Sequence, residues 1–173
     1  AIALWLSGIA VLFIRIASSA LRLARAVART APITQPHLRE QLRLCCRELG
    51  ISKIPEPREL PGNGAPALVG FVRPRILLPP HVLQSMADDE LRLILLHELA
   101  HIRRRDVLIN WLATLLCVIH WLNPAAWLVA WRMRVERELA CDELVLRLGR
   151  DRGGRLYAKT IVKLVEALST GSG

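Results

Sequence analysis

His97, Glu98 and His101 stand in the run His97-Glu98-Leu99-Ala100-His101. The surrounding segment from Glu90 to His101 has no Gly or Pro and is dense in Leu, which reads as a helix. Asp88 is the expected N-cap, and Asp89 and Glu90 put negative charge in the first turn, where the helix dipole favours it. On a helix, positions i and i+4 share one face, so both imidazoles can reach a single ion. Glu98 is placed to hold and deprotonate a water on that ion. Zinc suits two neutral imidazoles plus a carboxylate, and lowers the pKa of its water to about 7. The plainer alternative is a pair of satisfied core histidines with a solvated Glu98 beside them.

A zinc peptidase site needs a third protein ligand and an open position. Ile102-Arg103-Arg104-Arg105 offers no Gly and no third His at metzincin spacing, so the ligand must come from a later helix. The best candidate run is Glu136 to Glu143. Glu138 and Asp142 are i, i+4; Glu138 can ligate, and Asp142 can accept a hydrogen bond from a ligand imidazole and fix its tautomer. The competing reading is that Arg134, Arg137, Glu138 and Asp142 form ordinary surface ion pairs along one helix.

The elements that would position these residues follow from composition. The chain has 173 residues, enough for one domain with a real core. It is 53% hydrophobic yet carries 24 Lys+Arg against 15 Asp+Glu, a net charge of +9. Apolarity joined to excess Arg suggests the cytosolic part of a membrane protein. The charge does not lie on one face with interleaved aromatics, so direct nucleic-acid binding is not expected. The cysteines (Cys45, Cys46, Cys117, Cys141) include no C-x-x-C pair and read as buried thiols of a reducing compartment. Both ends read as cuts from a longer chain.

Residues 1–29 read as the end of a transmembrane helix: fourteen uncharged residues, then Arg15, Arg22, Arg25 and Arg29 as a basic cytosolic flank. Residues 30–173 read as the peptidase domain. Thr30 to Pro36 is a linker. The next helix starts at Pro36, buries Leu38, Leu42, Cys45 and Leu49, and stops at Gly50. Pro and Gly break up residues 51–80, where Ala67–Phe71 and Arg75–Leu78 predict a small antiparallel sheet turning near Arg73-Pro74. Its edge is either a place to hold a substrate backbone or a plain structural hairpin.

Asp106 can cap the helix after the histidines. Residues 107–131 carry no formal charge with His120 neutral, and Asn123-Pro124 interrupts them. As a helix, 107–122 is about 24 Å long, short of a hydrocarbon core of about 30 Å. His101 and Glu138 must also lie on one side of a membrane to meet one ion. Residues 107–131 are therefore expected to form a membrane-dipping or interfacial hairpin with Arg-rich ends. A helix from Pro124 to about Leu148, stopped by Gly149, follows. A turn over Asp151–Gly154 then leads to a last amphipathic helix with Leu156, Ile161, Leu164, Val165 and Leu168 as its apolar set. Tyr157 and His120 are the oxyanion-stabilising candidates, although Tyr157 reads more simply as packing and His120 as a satisfied interfacial or core residue. His37 and His81 read as surface residues.

Four stretches together resemble the M56 peptidases, the integral-membrane gluzincins of the BlaR/MecR type. They are Gly70 to Pro79, His97-Glu98-Leu99-Ala100-His101 with Arg104-Arg105-Asp106, His120-Trp121-Leu122-Asn123-Pro124, and Glu138-Leu139-Ala140-Cys141-Asp142-Glu143. M48 membrane peptidases share the zinc motif and an E-x-x-x-D motif, but the Ala-Cys-Asp-Glu ending and His-Trp-x-Asn-Pro look like M56. The resemblance implies an α+β, mainly α, gluzincin-type fold. It implies His97, His101 and Glu138 as Zn2+ ligands, Glu98 as catalytic base and Asp142 as supporting acid. The implied activity is a membrane-anchored zinc endopeptidase facing the cytoplasm, cleaving a protein or peptide substrate, such as a transcriptional repressor, in antibiotic-response-type signalling. No sensor is present in this sequence. The alternative is a non-catalytic signalling module in which the zinc site only staples helices. Ala87 departs from the Ser cap that the family pattern leads one to expect.

Overall fold

The computed structural model describes residues 2–62 and 64–170; the side chains of 150–153 and 168–170 are not described. The order is α1 (Ile2–Arg29), α2 (Pro36–Glu48), β1 (Glu56–Glu59), β2 (Ala67–Val69), β3 (Arg75–Leu78), α3 (Pro80–Ser85), α4 (Asp88–Arg103), α5 (Asp106–Ile119), α6 (Pro124–Leu148) and α7 (Arg150–Thr170). The fold is mainly helical with one small sheet, as the sequence predicts. Two compact units divide the chain: residues 1–29 with 108–138, and 30–107 with 139–173. The boundary falls within α5 and within α6.

The first unit is helical and apolar. Helix α1 runs unbroken through the four arginines expected to flank it, because no Pro interrupts them and Arg is a good helix former. At about 42 Å, it is long and apolar enough to cross a membrane. The hairpin expected over 107–131 turns at His120–Asn123: His120 N–H donates to Leu116 O at 2.9 Å and Asn123 N–H to His120 O at 2.8 Å. Asn123 Oδ1 then accepts the Ala125 N–H at 2.9 Å, satisfying a donor in the first turn of α6. The indole N–H of Trp5 donates to Ile119 O at 3.1 Å, and that of Trp121 to Trp5 O at 3.3 Å. Gly8 makes this approach feasible, since a Cβ there would lie 2.3 Å from the Trp121 ring. Outward residues such as Leu112, Leu116, Leu128 and Trp131 are exposed, leaving the unit apolar on its surface.

The second unit packs α2, the sheet, α4, the end of α6 and α7 around one core. Leu38, Leu42 and Cys45 of α2 meet Ile76 and Leu78 of β3, Leu95, Leu96 and Leu99 of α4, and Val145 of α6. The expected apolar face of α2 is buried in full, and Gly50 ends the helix region at φ 65°, a conformation Gly adopts without a Cβ penalty. None of the four cysteines is in a disulfide and all are buried, and burial pushes the Cys45 thiol to about 12 and the Cys46 thiol to about 11.

Several expectations need correction. The sheet is mixed, not purely antiparallel. β2 pairs antiparallel with β3 as expected, with Leu68 opposite Ile76, but β1 joins the other edge of β3 in parallel, with Pro57 opposite Ile76. The prolines hid β1, yet an edge strand tolerates a missing N–H. Its carbonyl and amide groups also hold the Thr30–Pro36 linker: Ile33 N–H donates to Pro57 O at 3.0 Å and Glu59 N–H to Ala31 O at 2.9 Å. Asp88 is not the N-cap. Ala87 occupies that position, and its N–H is satisfied by Glu90 Oε2 at 3.0 Å. The Asp151–Gly154 turn is helical, because α7 starts directly after Gly149, whose N–H closes α6 on Val145 O at 2.9 Å. The face α7 buries is Tyr157 and Thr160, flanked by half-buried Leu156 and Leu164. Ile161 and Val165 of the expected set are exposed, and the Leu168 side chain lies outside the described residues. The short α3 was not foreseen. His37 is a surface residue as expected, hydrogen-bonded to Asp88 at 2.8 Å, but both His81 ring nitrogens are buried.

One ion pair fixes α7 against the start of α4. Lys163 Nζ donates to Glu90 Oε2 at 2.7 Å and to Ser85 O at 2.6 Å. The Lys163 hydrogen bond, then that of the Ala87 N–H, hold the Glu90 carboxyl below the usual carboxylate range. With the folded value below the unfolded one, the stabilisation is complete above the unfolded value of about 4.3 and is lost as pH falls through it toward the folded value. Glu90→Gln is therefore expected to lower stability at neutral pH by about 1–2 kcal/mol, the gap to the parent closing under more acidic conditions. Denaturant unfolding at the two conditions checks this; a gap independent of pH would show that the Glu90 charge is not used.

Candidate metal centre

The two histidines sit in the C-terminal half of α4, whose Leu95, Leu96 and Leu99 are buried in the core. That packing leaves the His97–His101 face as the half-buried side of the helix. The rings lie 5.3 Å apart between centroids and cross at 83°. Glu98 is buried, 8% exposed, next to His97.

Each imidazole is oriented through its Nδ1 atom. His97 Nδ1 stands 2.8 Å from the Tyr157 hydroxyl and 3.1 Å from Asp142 Oδ1. Tyr157 donates its own proton to Asp142 Oδ1 at 2.6 Å, so its oxygen accepts from His97. Burial first, then the hydrogen bond to Asp142, push the Tyr157 phenol far above its ordinary value, so it stays a donor. His101 Nδ1 lies 2.8 Å from Asp106 Oδ2. With Nδ1 carrying the proton on both rings, Nε2 carries the lone pair, the atom a metal takes. The donor set therefore fits a metal ion: two imidazoles whose Nδ1 atoms are engaged, leaving Nε2 for the metal, with a buried carboxylate alongside.

The backbone explains how Asp106 arrives there. Arg105 has φ 58°, the left-handed region. Its N–H reaches Ile102 O at 3.0 Å while Arg104 N–H still reaches Ala100 O at 2.9 Å, so α4 turns into α5 within two residues. That turn folds the first residue of α5 back beneath His101. A non-glycine residue pays about 1 kcal/mol for this conformation.

Of the site residues expected from the sequence, the second unit brings His97, Glu98, His101 and Asp142 together. Asp142 contacts His97 and Tyr157. Glu138 lies one turn earlier on the same face of α6, just before the boundary between the units. Sequence reasoning gave Asp106 only a capping role, and treated Tyr157 as packing or an oxyanion group. The Tyr157 hydroxyl is instead spent on His97 and Asp142. The signal for Asp106 was its position directly after Arg104-Arg105, and only the left-handed turn gives that position meaning. His120 belongs to the hairpin turn of the other unit.

Comparison with known proteins decides what this arrangement belongs to. The chain matches the family model described as BlaR1 peptidase M56 over residues 1–172. The chain belongs to the M56 peptidase family. It is similar to Regulatory protein BlaR1 of Bacillus licheniformis, 29% identical over 161 residues, which cover 93% of this chain and 27% of that protein. It is also similar to the Methicillin resistance mecR1 protein of Staphylococcus aureus, 29% identical over 138 residues, covering 79% of this chain and 24% of the relative. The chain thus spans about a quarter of the length of the curated relatives it matches. For an M56 member, the long apolar α1 fits a membrane-associated chain.

Tyr157→Phe tests the Nδ1 network without zinc. Loss of the hydroxyl leaves the half-buried Asp142 carboxylate without one donor, and should cost about 1 kcal/mol, whereas Tyr157→Ala also removes a buried ring and should cost about 3–4 kcal/mol. Chemical unfolding of the metal-free protein measures both; a Tyr157→Phe protein as stable as the parent would mean that Tyr157 serves packing alone.

Proposed function

We propose that the chain is the zinc endopeptidase part of a membrane-anchored signalling protein, with its peptidase unit facing the cytoplasm. The observation that carries this reading is the matched pair of Nδ1 hydrogen bonds, from His97 to Asp142 and Tyr157, and from His101 to Asp106. A core histidine needs no such matched pair presenting both Nε2 atoms from one helix face. In this reading His97 and His101 hold zinc through Nε2. Glu138 supplies the third ligand, since it shares a face of α6 with Asp142, which already touches His97. A zinc ion bound there would polarise a scissile carbonyl and lower the pKa of a water to about 7.

The chain's own groups do the rest. The Glu98 carboxylate takes the proton of the attacking water and delivers it to the leaving amine. Its burial keeps bulk water from competing. Asp142, Tyr157 and Asp106 hold the imidazoles in the required tautomer. The relatives' names, a regulatory protein and a resistance protein, support a substrate that is a regulator, with a transcriptional repressor as the fitting class. The edge of β2 offers main-chain groups that an extended substrate can pair with.

Two variants test this in detergent-purified protein. Glu98→Gln should keep about one zinc per chain by elemental analysis and lose hydrolysis of a mixture of quenched fluorescent peptides by about 10²–10⁴-fold. Glu138→Ala should lose the metal. A Glu98→Gln protein that cleaves as well as the parent would sink the catalytic assignment; zinc in the parent without any hydrolysis would favour the non-catalytic signalling module.

A further inference from the structure

Cys141 has no part in the chemistry above, yet it is fully buried against the site. Its Sγ lies 3.4 Å from His101 Nδ1 and 3.6 Å from Asp106 Oδ2, and Nδ1 and Oδ2 are 2.8 Å apart. Ligand atoms of these three residues all fall within 4.8 Å of one another. Around a tetrahedral ion with bonds of about 2.0 Å to nitrogen and oxygen and about 2.3 Å to sulfur, the donors stand about 3.3–3.6 Å apart. The two distances to sulfur already match this spacing, and the nitrogen–oxygen pair need open by only about half an ångström. The three donors come from the end of α4, the start of α5 and α6, so the triangle is built by tertiary contact and not by one helix. Asp106 and Cys141 are buried, which closes the site on the protein side, and the His101 side chain, 17% exposed, gives the way in.

We propose that His101 Nδ1, Asp106 and Cys141 form an alternative site for a soft divalent ion such as Zn2+ or Cd2+, distinct from the Nε2 face of the same histidine. Thiolate and imidazole favour such ions, and one carboxylate leaves a two-plus charge neutralised. The proton balance sets the consequence. The thiol proton of Cys141 leaves to solvent, and the imidazole proton moves from Nδ1 to Nε2. Asp106 changes from accepting that proton to ligating the ion. A neutral imidazole has one lone pair, so His101 serves either face and not both. Metal in excess would therefore draw His101 away from the zinc site of the proposed peptidase and silence it. The alternative site itself does not depend on that reading; only the silencing does.

The test is titration with Cd2+, read by the ultraviolet thiolate-to-cadmium charge-transfer absorption, on the parent, Cys141→Ser, Asp106→Asn and His97→Ala proteins, each checked for folding by circular dichroism. Serine keeps the volume of the thiol but cannot give the absorption. The expected result is a Cys141-dependent band in the parent, lost in Cys141→Ser, needing at least tenfold more Cd2+ in Asp106→Asn, and kept in His97→Ala, which lacks the zinc site but keeps all three donors. A band that persists unchanged in Cys141→Ser comes from the other thiols and overturns the proposal, as does a folded parent without the band. Failure of the parent to bind zinc with the Cys141 band intact would count against the peptidase reading alone.

Discussion

The hydrogen bond at Nδ1 is the constraint on which the site depends. An imidazole on a helix can turn about two side-chain torsions and exist as either neutral tautomer. Two histidines at i, i+4 therefore give a metal site only if something else chooses the tautomer. Asp142 with Tyr157 does so for His97, and Asp106 for His101. These partners lie on three different elements, so the second unit must assemble before the histidines have a defined lone pair to offer.

Much of that unit serves to bring those partners in. Helix α4 is held by core packing on its Leu95-Leu96-Leu99 side, which leaves the histidine side facing α6 and α7. Helix α7 carries Tyr157, and its position along α4 is set by Lys163 reaching Glu90 in the first turn of α4 and Ser85 at the end of α3. The buried member of this pair is Glu90, and leaving its carboxylate without the Lys163 ammonium costs more than the pair itself contributes. The pair fixes the register of α7 on α4, and with it the height at which Tyr157 meets His97. The left-handed Arg105 does the same for Asp106 by a backbone route.

The sheet shows how propensity can mislead in one direction. Prolines at 55 and 57 argue against a strand, and by propensity alone no strand is expected there. Yet Pro57 lies on an edge, where one missing N–H interrupts no inner ladder, and the segment still uses its remaining groups on both sides, toward β3 and toward the linker. Propensity describes a residue in an average strand. Edge or centre is a property of the assembled sheet.

The sequence by itself determined the long helices and several of their ends, though not the short α3 or the start of α7, because periodicity, Pro36, Gly50, Asn123-Pro124 and Gly149 act through local backbone physics. It also determined the His97-Glu98-His101 face, because spacing on a helix is local geometry, and the i, i+4 relation of Glu138 and Asp142. What only the tertiary structure decided is which of several plausible partners each side chain takes. Asp142 read equally as a surface ion-pair residue and went to His97 and Tyr157. Asp106 read as a cap and went to His101, through a turn whose left-handed residue is an arginine and carries no glycine signal. Tyr157 read as packing and became a hydrogen-bond bridge. Such choices depend on distances between segments far apart in the chain, fixed by packing and by the cost of leaving a buried polar atom unpaired, and no local pattern encodes them.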